Sequence, residues 1–426
     1  MTLQFLEPVA PGNFVSWPHV YVRYSLTVAS LLTLEEAQER VLRAARPLPS
    51  ERIPVANAAG RVSAEEARAQ VDLPPFASSA MDGFAVRTAD LPGELQIAGE
   101  SAAGRPLEAR LEPGCAVSIS TGAVVPEGAD AVVPIERVVI QDNRVEIPHP
   151  AEPGAHVRPR GGDVAAGEVV VSTGTRLTPV RLAAAAACGV GELSCVRRPR
   201  VAVLATGSEL VDPGDPLGPG QIYETNSLML SSALAAAGAD VVVEPRVEDD
   251  EQELKAALER GLAADVLVTS GGVSVGEHDL VRAAERELGV EEVFWRVSIK
   301  PGKPVSFGVR RDTLVFGLPG NPVSALVGCE LFVKPGLRAL QGLPDPLPRF
   351  EPGQLAAGLR RNEERDEFVR ARSRVDGDVV VLEPVTGQES HMIVRSAAAD
   401  ALVHIPRGNG ELAAGSSVRW LRIGGV

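Results

Sequence analysis

Five short segments in the second half of the chain concentrate glycine, hydroxyl, carboxylate and ammonium groups. They are Thr206-Gly207-Ser208-Glu209, Glu248-Asp249-Asp250, Ser270-Gly271-Gly272-Val273-Ser274-Val275-Gly276-Glu277-His278-Asp279, Lys300-Pro301-Gly302-Lys303-Pro304 and Leu318-Pro319-Gly320-Asn321-Pro322. Glycine lets backbone N–H groups come close to an oxyanion, and a helix N-terminus behind such a turn adds favourable partial charge. Glu209, Asp249 and Asp279 are hard oxygen ligands, which suit Mg²⁺ on phosphates. Lys300 and Lys303 supply the opposite charge for an anion. One such turn is ordinary, a lone acid after a strand is usually a helix cap, and a lone lysine is usually solvated. Their recurrence points to a Mg-nucleotide or phosphoester site.

For these segments to meet, each must follow a strand of one parallel sheet, because ligands bind outside the carboxyl ends of such strands. From Arg200 onward the sequence carries that pattern. Residues 201–206, 240–247, 265–270, 293–299 and 314–318 read as strands. Residues 227–237 (closed by Gly238), 250–263, 279–287 and 322–340 read as helices, the last N-capped by Asn321 with Pro322 at its first position. Alternating strands and helices predict a doubly wound, mostly parallel α/β domain.

Either side of it the text differs. Residues 34–45 read as an amphipathic helix, with Thr33 as N-cap and Glu36 completing a capping box. From about 54 to 172, short strands broken by Gly and Pro (116–120, 131–134, 138–140 and 144–147) predict a β-rich part. Residues 178–188 then read as a helix with Pro179 in its first turn. Pro335, Pro344, Pro346, Pro348 and Pro352 mark a boundary, and strands at 355–359, 367–373, 379–384, 401–405 and 417–423 predict a small C-terminal β domain. Residues 1–30 show no period. They read either as a flexible extension or as an over-called start, Val28 being compatible with a GTG initiation codon, and a native mass separates the two.

Composition excludes several classes. The chain of 426 residues is 45% hydrophobic and 23% charged, as in an ordinary multidomain globular protein. Only 4% is aromatic, so the cores must be built from Ala, Val and Leu. A net charge of −14 argues against nucleic acid as a partner, although clustered Lys and Arg can still hold an anionic substrate. Cys115, Cys188, Cys195 and Cys329 form no C-x-x-C pair and no zinc spacing, and read as free buried thiols of a reducing compartment. The six histidines form no metal cluster, and His278 reads equally as structural or functional. No apolar run reaches the roughly 18–20 residues of a membrane span, and the first residues lack a basic n-region. The expectation is a soluble cytoplasmic enzyme with no membrane partner.

Three more segments mix small residues with charge: Ser78-Ser79-Ala80-Met81-Asp82-Gly83-Phe84-Ala85, Thr121-Gly122-Ala123 with Pro126-Glu127-Gly128-Ala129-Asp130, and Arg158-Pro159-Arg160-Gly161-Gly162-Asp163. Taken alone they read as turns, and spacing does not join them to the α/β edge. Together with the motifs above, however, they carry a resemblance. Ser79-Ala80-Met81-Asp82-Gly83-Phe84-Ala85, Thr206-Gly207-Ser208-Glu209-Leu210, Thr269-Ser270-Gly271-Gly272-Val273-Ser274-Val275-Gly276, Lys300-Pro301-Gly302-Lys303-Pro304 and Gly317-Leu318-Pro319-Gly320-Asn321-Pro322 closely resemble the molybdopterin molybdenumtransferase family. These are the molybdenum insertases of cofactor synthesis, and the E domain of gephyrin is similar. The resemblance runs from about Leu34 to the C-terminus and leaves residues 1–30 outside.

The resemblance implies a reaction in which adenylylated molybdopterin and molybdate give molybdenum cofactor and AMP, with Mg²⁺. It implies an elongated homodimer whose cleft combines the α/β domain of one subunit with the β-rich domain of the other. It divides the chain into a linker domain (31–73 with 156–197), a β-rich domain (74–155), a MogA/MoaB-like α/β domain (198–340) and a C-terminal β-barrel domain (341–426). Carried over by position, Asp82, Thr121, Arg158, Asp163, Glu209, Asp249, Asp279 and Lys300 become the catalytic set, with Glu209, Asp249 and Asp279 as metal ligands. Thr206, Gly207, Ser208, Asn226, Ser270, Gly271, Gly272, Ser274, Gly276, Pro319, Gly320, Asn321 and Pro322 become nucleotide-side residues. Lys300, Lys303, Ser324, Arg370 and Ser390 would face molybdate, a tetrahedral dianion suited to such donors. Arg296 stands where some relatives have Lys, which keeps the charge and changes the geometry. The dithiolene sulfurs come from the pterin, so no protein cysteine is needed. Glu209 and Asp279 read equally as metal ligands or water-orienting groups.

Rival readings are weaker. The upstream molybdopterin adenylyltransferase, itself a potential partner, and a CinA-like pyrophosphatase share the α/β domain but typically lack the flanking regions. A non-catalytic scaffold has no use for the retained Asp82, Asp163, Glu209, Asp249 and Asp279, and a molybdate store has none for nucleotide-type turns. Molybdate and tungstate, nearly equal in size and charge, are not separated by sequence.

Overall fold

The computed structural model describes residues 31–247, 250–272 and 280–423. At its centre lies a six-stranded sheet in the order Asp240–Val243, Arg200–Ala205, Val266–Ser270, Thr313–Leu318, Ser306–Arg310, Glu291–Trp295. The first four strands are parallel to one another. Because side chains alternate along a strand, each central strand feeds two cores. Val201 and Val203 join one core while Ala202 and Leu204 join the other, and Phe316 and Val315 divide the same way. The Asn226–Ala236 and Pro322–Gly328 helices cover one face, and Glu251–Gly261 and Leu280–Glu287 the other. The doubly wound expectation is met.

Its last two strands depart from expectation. Ser306–Arg310 returns antiparallel to Thr313–Leu318 through a turn in which Arg311 takes φ 55°. Glu291–Trp295 then pairs antiparallel with Ser306–Arg310. The run 293–299, expected as one strand, is broken at Arg296, whose φ is 72° and whose guanidinium carbon lies 3.7 Å from the centre of the Trp295 ring. Beyond the break, Ile299–Lys300 pairs with Asp366–Asp376 in the C-terminal sheet instead. The Lys300–Pro304 turn therefore does not follow a parallel strand of the α/β sheet.

The C-terminal strands close on themselves. Asp366–Asp376, Val379–Pro384, Glu351–Leu355, Ser417–Arg422 and Ala401–Ile405 pair in that order, and Ala401–Ile405 pairs back to Asp366–Asp376. This is a five-stranded barrel around Trp420, Leu382 and Val369. The expected strand 355–359 is two pieces, Glu351–Leu355 and Leu359–Arg360. In the N-terminal half a second six-stranded sheet contains Gly83–Val86, Cys115–Ile119, Ala131–Pro134 and Arg144–Ile147. Strands before and after it pair with each other, Ser50–Pro54 with Glu192–Val196 and Ala67–Arg68 with Val169–Val171. Among the described residues no helix is long and apolar enough to cross a membrane. Of the free cysteines, Cys188, Cys195 and Cys329 are buried, and burial pushes the Cys329 thiol up to about 12.

The long helical run after Asn321 has the expected extent but not a uniform pitch. Pro335 does not mark a boundary; it sits inside Lys334–Leu340. Having no N–H, it leaves the carbonyl four residues back, Leu331 O, without its helical donor. The chain widens to a π turn over Cys329–Val333, and the Lys334 N–H reaches back to Cys329 O. The orphaned Leu331 carbonyl accepts from Gln38 Nε2 at 2.9 Å, a buried bond. Gln38 lies on the Leu34–Ala44 helix, which starts in the expected Thr33–Glu36 capping box and buries Leu34, Ala37 and Val41 in the α/β core.

Gln38→Leu should therefore destabilise the protein by about 1–3 kcal/mol, since it strands a buried acceptor. Adding Pro335→Ala, which restores an N–H opposite Leu331 O, should recover part of that loss. Urea titration of the single and double variants checks both; a double variant no more stable than Gln38→Leu would refute the proline explanation.

Candidate active site

Parallel strands deliver their following loops to one edge, and there lies the cleft, a cavity of about 720 Å³. Thr206, Gly207 and Glu209 line it from beyond Arg200–Ala205, and Ser270, Gly271 and Gly272 from the end of Val266–Ser270. Pro319, Gly320, Asn321 and Pro322 line it from beyond Thr313–Leu318, and Asn226 from the start of the Asn226–Ala236 helix. Eleven residues chosen from sequence thus share one cleft. Ser208 lies beside it, with Glu209, in a shallower depression formed with residues 218–221. Asp249, Asp279, Ser274, Gly276 and His278 lie outside the described residues.

The glycines serve packing first. A Cβ on Gly271, at φ 97°, would come within 2.4 Å of Thr206 O, and one on Gly272, at φ 66°, within 2.3 Å of Val281. The Gly207 and Gly271 N–H groups donate to Val247 O and Leu318 O, which closes the strand ends rather than leaving them for an anion. Among the described residues the Gly272 and Gly320 N–H groups have no protein acceptor. Glu209 is exposed on the cleft wall, its carboxylate folded back over Gly207.

The C-terminal barrel supplies part of the opposite wall, through His391 and Ile393. Arg370 holds that segment. Its side chain is fully buried and donates to Gly387 O at 2.8 Å, Glu389 O at 3.2 Å and Gln388 Oε1 at 3.3 Å. Burial lowers its pKa from the ordinary arginine value, and Glu389 opposes that. The segment then docks on the helix after Asn321. Ser390 O accepts from the Val323 N–H at 3.1 Å, and Ser390 Oγ accepts from Asn321 Nδ2 at 3.0 Å. Asn321 occupies the N-cap position as expected, but its side chain makes no cap bond; the barrel caps the helix instead.

Lys300 and Lys303 stand where barrel and helix meet. Lys300 Nζ pairs with Glu367 at 3.0 Å. Lys303 is exposed, and a Cβ on Gly302 would lie 3.5 Å from Ser324 O. Ser324 itself is buried. None of Lys300, Lys303, Ser324, Arg370 and Ser390 lines the cleft.

The β-rich residues make a separate cluster. Asp82 Oδ1 accepts from the Thr121 N–H at 2.7 Å, and Ser78 is flanked by Val124 and Arg158. Asp163 lies further off, its N–H donating to Leu73 O. All four of Asp82, Thr121, Arg158 and Asp163 are exposed, and none lines the cleft of its own chain. His391, Ile393, Tyr223 and Glu224, not chosen from sequence as site residues although all but Ile393 fall in segments that carry the resemblance, do line it. The first two stand beside the singled-out Ser390, and the others precede Asn226, so adjacency was the available signal.

Residues 32–189 match the MoeA N-terminal region (domain I and II), residues 202–339 a probable molybdopterin binding domain, and residues 352–423 the MoeA C-terminal region (domain IV). A Mycobacterium tuberculosis protein named molybdopterin molybdenumtransferase 2 is 41% identical over 395 residues, 89% of this chain and 96% of that one. The molybdopterin molybdenumtransferase of Haemophilus influenzae is 36% identical over 397 residues, 91% of this chain and 98% of its own. A crystal structure of a molybdopterin biosynthesis MoeA protein from Pyrococcus horikoshii matches with a TM-score of 0.79 at 33% identity, covering 93% of this chain and 100% of that one.

The Thr121 N–H and then its side chain hold the Asp82 carboxyl below its ordinary value of 3.8, against a smaller desolvation effect. A depressed carboxyl contributes above its unfolded pKa and loses that contribution as pH falls through the folded value. Thr121→Val should raise the Asp82 pKa while leaving it below 3.8, because the backbone donor remains. Carboxyl ¹³C titration reads this directly, and an unmoved Asp82 would exclude the hydroxyl.

Proposed function

The chain belongs to the molybdopterin molybdenumtransferase (MoeA) family of molybdenum cofactor biosynthesis, and from that premise we propose that it inserts molybdenum from molybdate into adenylylated molybdopterin and releases AMP. The observation that carries this reading is the composite cleft. Nucleotide-type turns form one wall, His391 and Ile393 beside the barrel close part of the other, and Lys300 and Lys303 lie on the turn that ends at the cleft-lining Pro304.

In this reading the phosphate of the leaving AMP sits on the Gly272 and Gly320 N–H groups. Molybdate is held by charge and hydroxyl donors, Lys300, Lys303, Ser324 and Ser390. Arg370 enters as the group that keeps the Ser390 segment in place, since its donors are taken by that segment's own oxygens. Lys300 reaches the dianion by exchanging its pairing with Glu367.

Mg²⁺, when bound, offsets charge on the pyrophosphate as the bond to AMP breaks. Glu209, Asp249 and Asp279 are its proposed holders. Of these only Glu209 is among the described residues, where no group of three or more His, Cys, Asp or Glu side chains is arranged for a metal. Glu224, on the same wall, is engaged with the Ser227 N–H at 2.9 Å. Asp82, Thr121, Arg158 and Asp163, which do not line their own chain's cleft, are assigned to the cleft of a second copy in a homodimer.

AMP release from adenylylated molybdopterin, with molybdate and Mg²⁺ each added or omitted, tests the reading. Release should require both ions and fall by about 10²-fold in Glu209→Gln and in Asp279→Ala. Binding of the pterin nucleotide without ion-dependent release would instead mark a carrier or scaffold. Mixing inactive Asp82→Asn chains with inactive Glu209→Gln chains should restore release, and no recovery would remove the shared cleft.

A further inference from the structure

Asn226 is a polar group of the cleft wall, and one of its atoms has no partner among the described residues. Its Nδ2 donates to Ser270 Oγ at 2.8 Å and to Gly320 O at 2.7 Å, so both amide hydrogens are committed. The amide orientation is fixed by this, because the opposite flip would set Oδ1 against the Gly320 carbonyl, acceptor against acceptor. The side chain is therefore locked with Oδ1 as the remaining vertex, and Oδ1 is buried with no hydrogen-bond partner among the described residues. The residue is 8% exposed and lines the cleft.

Nothing in the helix explains this arrangement. Asn226 opens the Asn226–Ala236 helix, a place where an asparagine could cap, yet the cap bond comes from Glu224, which accepts from the Ser227 N–H. The preceding Thr225 side chain makes no cap bond either. Asn226 is thus spent on the strand ends of the cleft, and its free atom is a neutral acceptor. Such an atom repels phosphate and molybdate oxygens and takes an N–H or O–H. The same amide is bonded to Ser270, the residue before the Gly271-Gly272 turn, so a ligand whose phosphate rests on that turn brings its nucleoside part nearest.

We propose that Asn226 Oδ1 accepts a hydrogen bond from a neutral donor of the bound nucleoside, a ribose hydroxyl or the base amine, and so selects an adenylate over analogues lacking that donor. The inference rests on the nucleotide reading of the cleft and deepens it by naming a specificity-determining residue. A site built around a polar partner rejects the ligand that lacks it more strongly than an apolar pocket rejects a small change of size.

Titration calorimetry of the full chain with AMP, 2′-deoxy-AMP, 3′-deoxy-AMP and IMP tests this, with melting curves confirming that each variant folds. Wild type should bind AMP about tenfold or more tightly than one of the three analogues, and which one identifies the donor as a hydroxyl or the amine. Asn226→Ala should bind AMP and that analogue alike. Asn226→Asp, which sets an acceptor against Gly320 O, should lose AMP affinity and the preference together; if the alanine variant does not fold, the wild-type comparison of the four nucleotides carries the test. Equal binding of all four nucleotides by wild type, or a preference that survives Asn226→Ala, overturns the inference while leaving the nucleotide cleft standing. Wild type that binds none of them removes the nucleotide reading and the inference together.

Discussion

Parallel pairing is the constraint on which the molecule turns. Four strands running the same way end on the same edge, and each must there hand its chain to a helix on one face or the other. That single requirement gathers Thr206, Ser270, Pro319 and their neighbours, far apart in sequence, around one cavity. It also explains the division of labour along each strand. Val201 and Val203 build one core, Ala202 and Leu204 the other, and the polar work is left to the residues beyond Ala205.

An edge of loops alone makes a half-open shelf, and the barrel closes part of it. A buried arginine, three acceptors of residues 387–389 and a serine on a helix N-terminus do this work. A guanidinium is suited to it, because its donors are fixed in a plane and it keeps its charge when buried. The same fork that makes Arg370 read as an anion ligand in sequence lets it serve as a hub for carbonyls. The reciprocal bonds of Ser390 with Asn321 and Val323 then couple the barrel's position to the helix that begins at the cleft.

The features legible in sequence are those that local chemistry determines. Thr33 with Glu36, Thr178 with Pro179, and Pro322 after Asn321 announce helix starts within a residue or two. The glycine turns and their common edge are set by strand and helix periods. The rest depends on partners far along the chain. Residues 293–299 read as one strand, and only the left-handed turn at Arg296 divides it between two sheets. The strand Ser306–Arg310 hides behind Gly308, whose place is dictated by the approach of Val290 and Glu291. The bond from Gln38 to Leu331 joins residues 293 positions apart, and no pattern around either one announces it.

That division at Arg296 bears on how modular the chain is. Ile299–Lys300 belongs to the α/β segment by position and to the barrel sheet by hydrogen bonding. The barrel is thus stitched in, with one stitch made by a segment that precedes it by more than the length of a linker. A chain cut at the proline-rich junction would lose more than a terminal accessory. Ile299, now fully buried, would lose its strand partner, and the turn carrying both lysines would lose its anchor. Gene fusions and truncations that treat the α/β part as a free-standing cassette must therefore rebuild that edge, whereas the barrel can be exchanged only for one that offers the same strand.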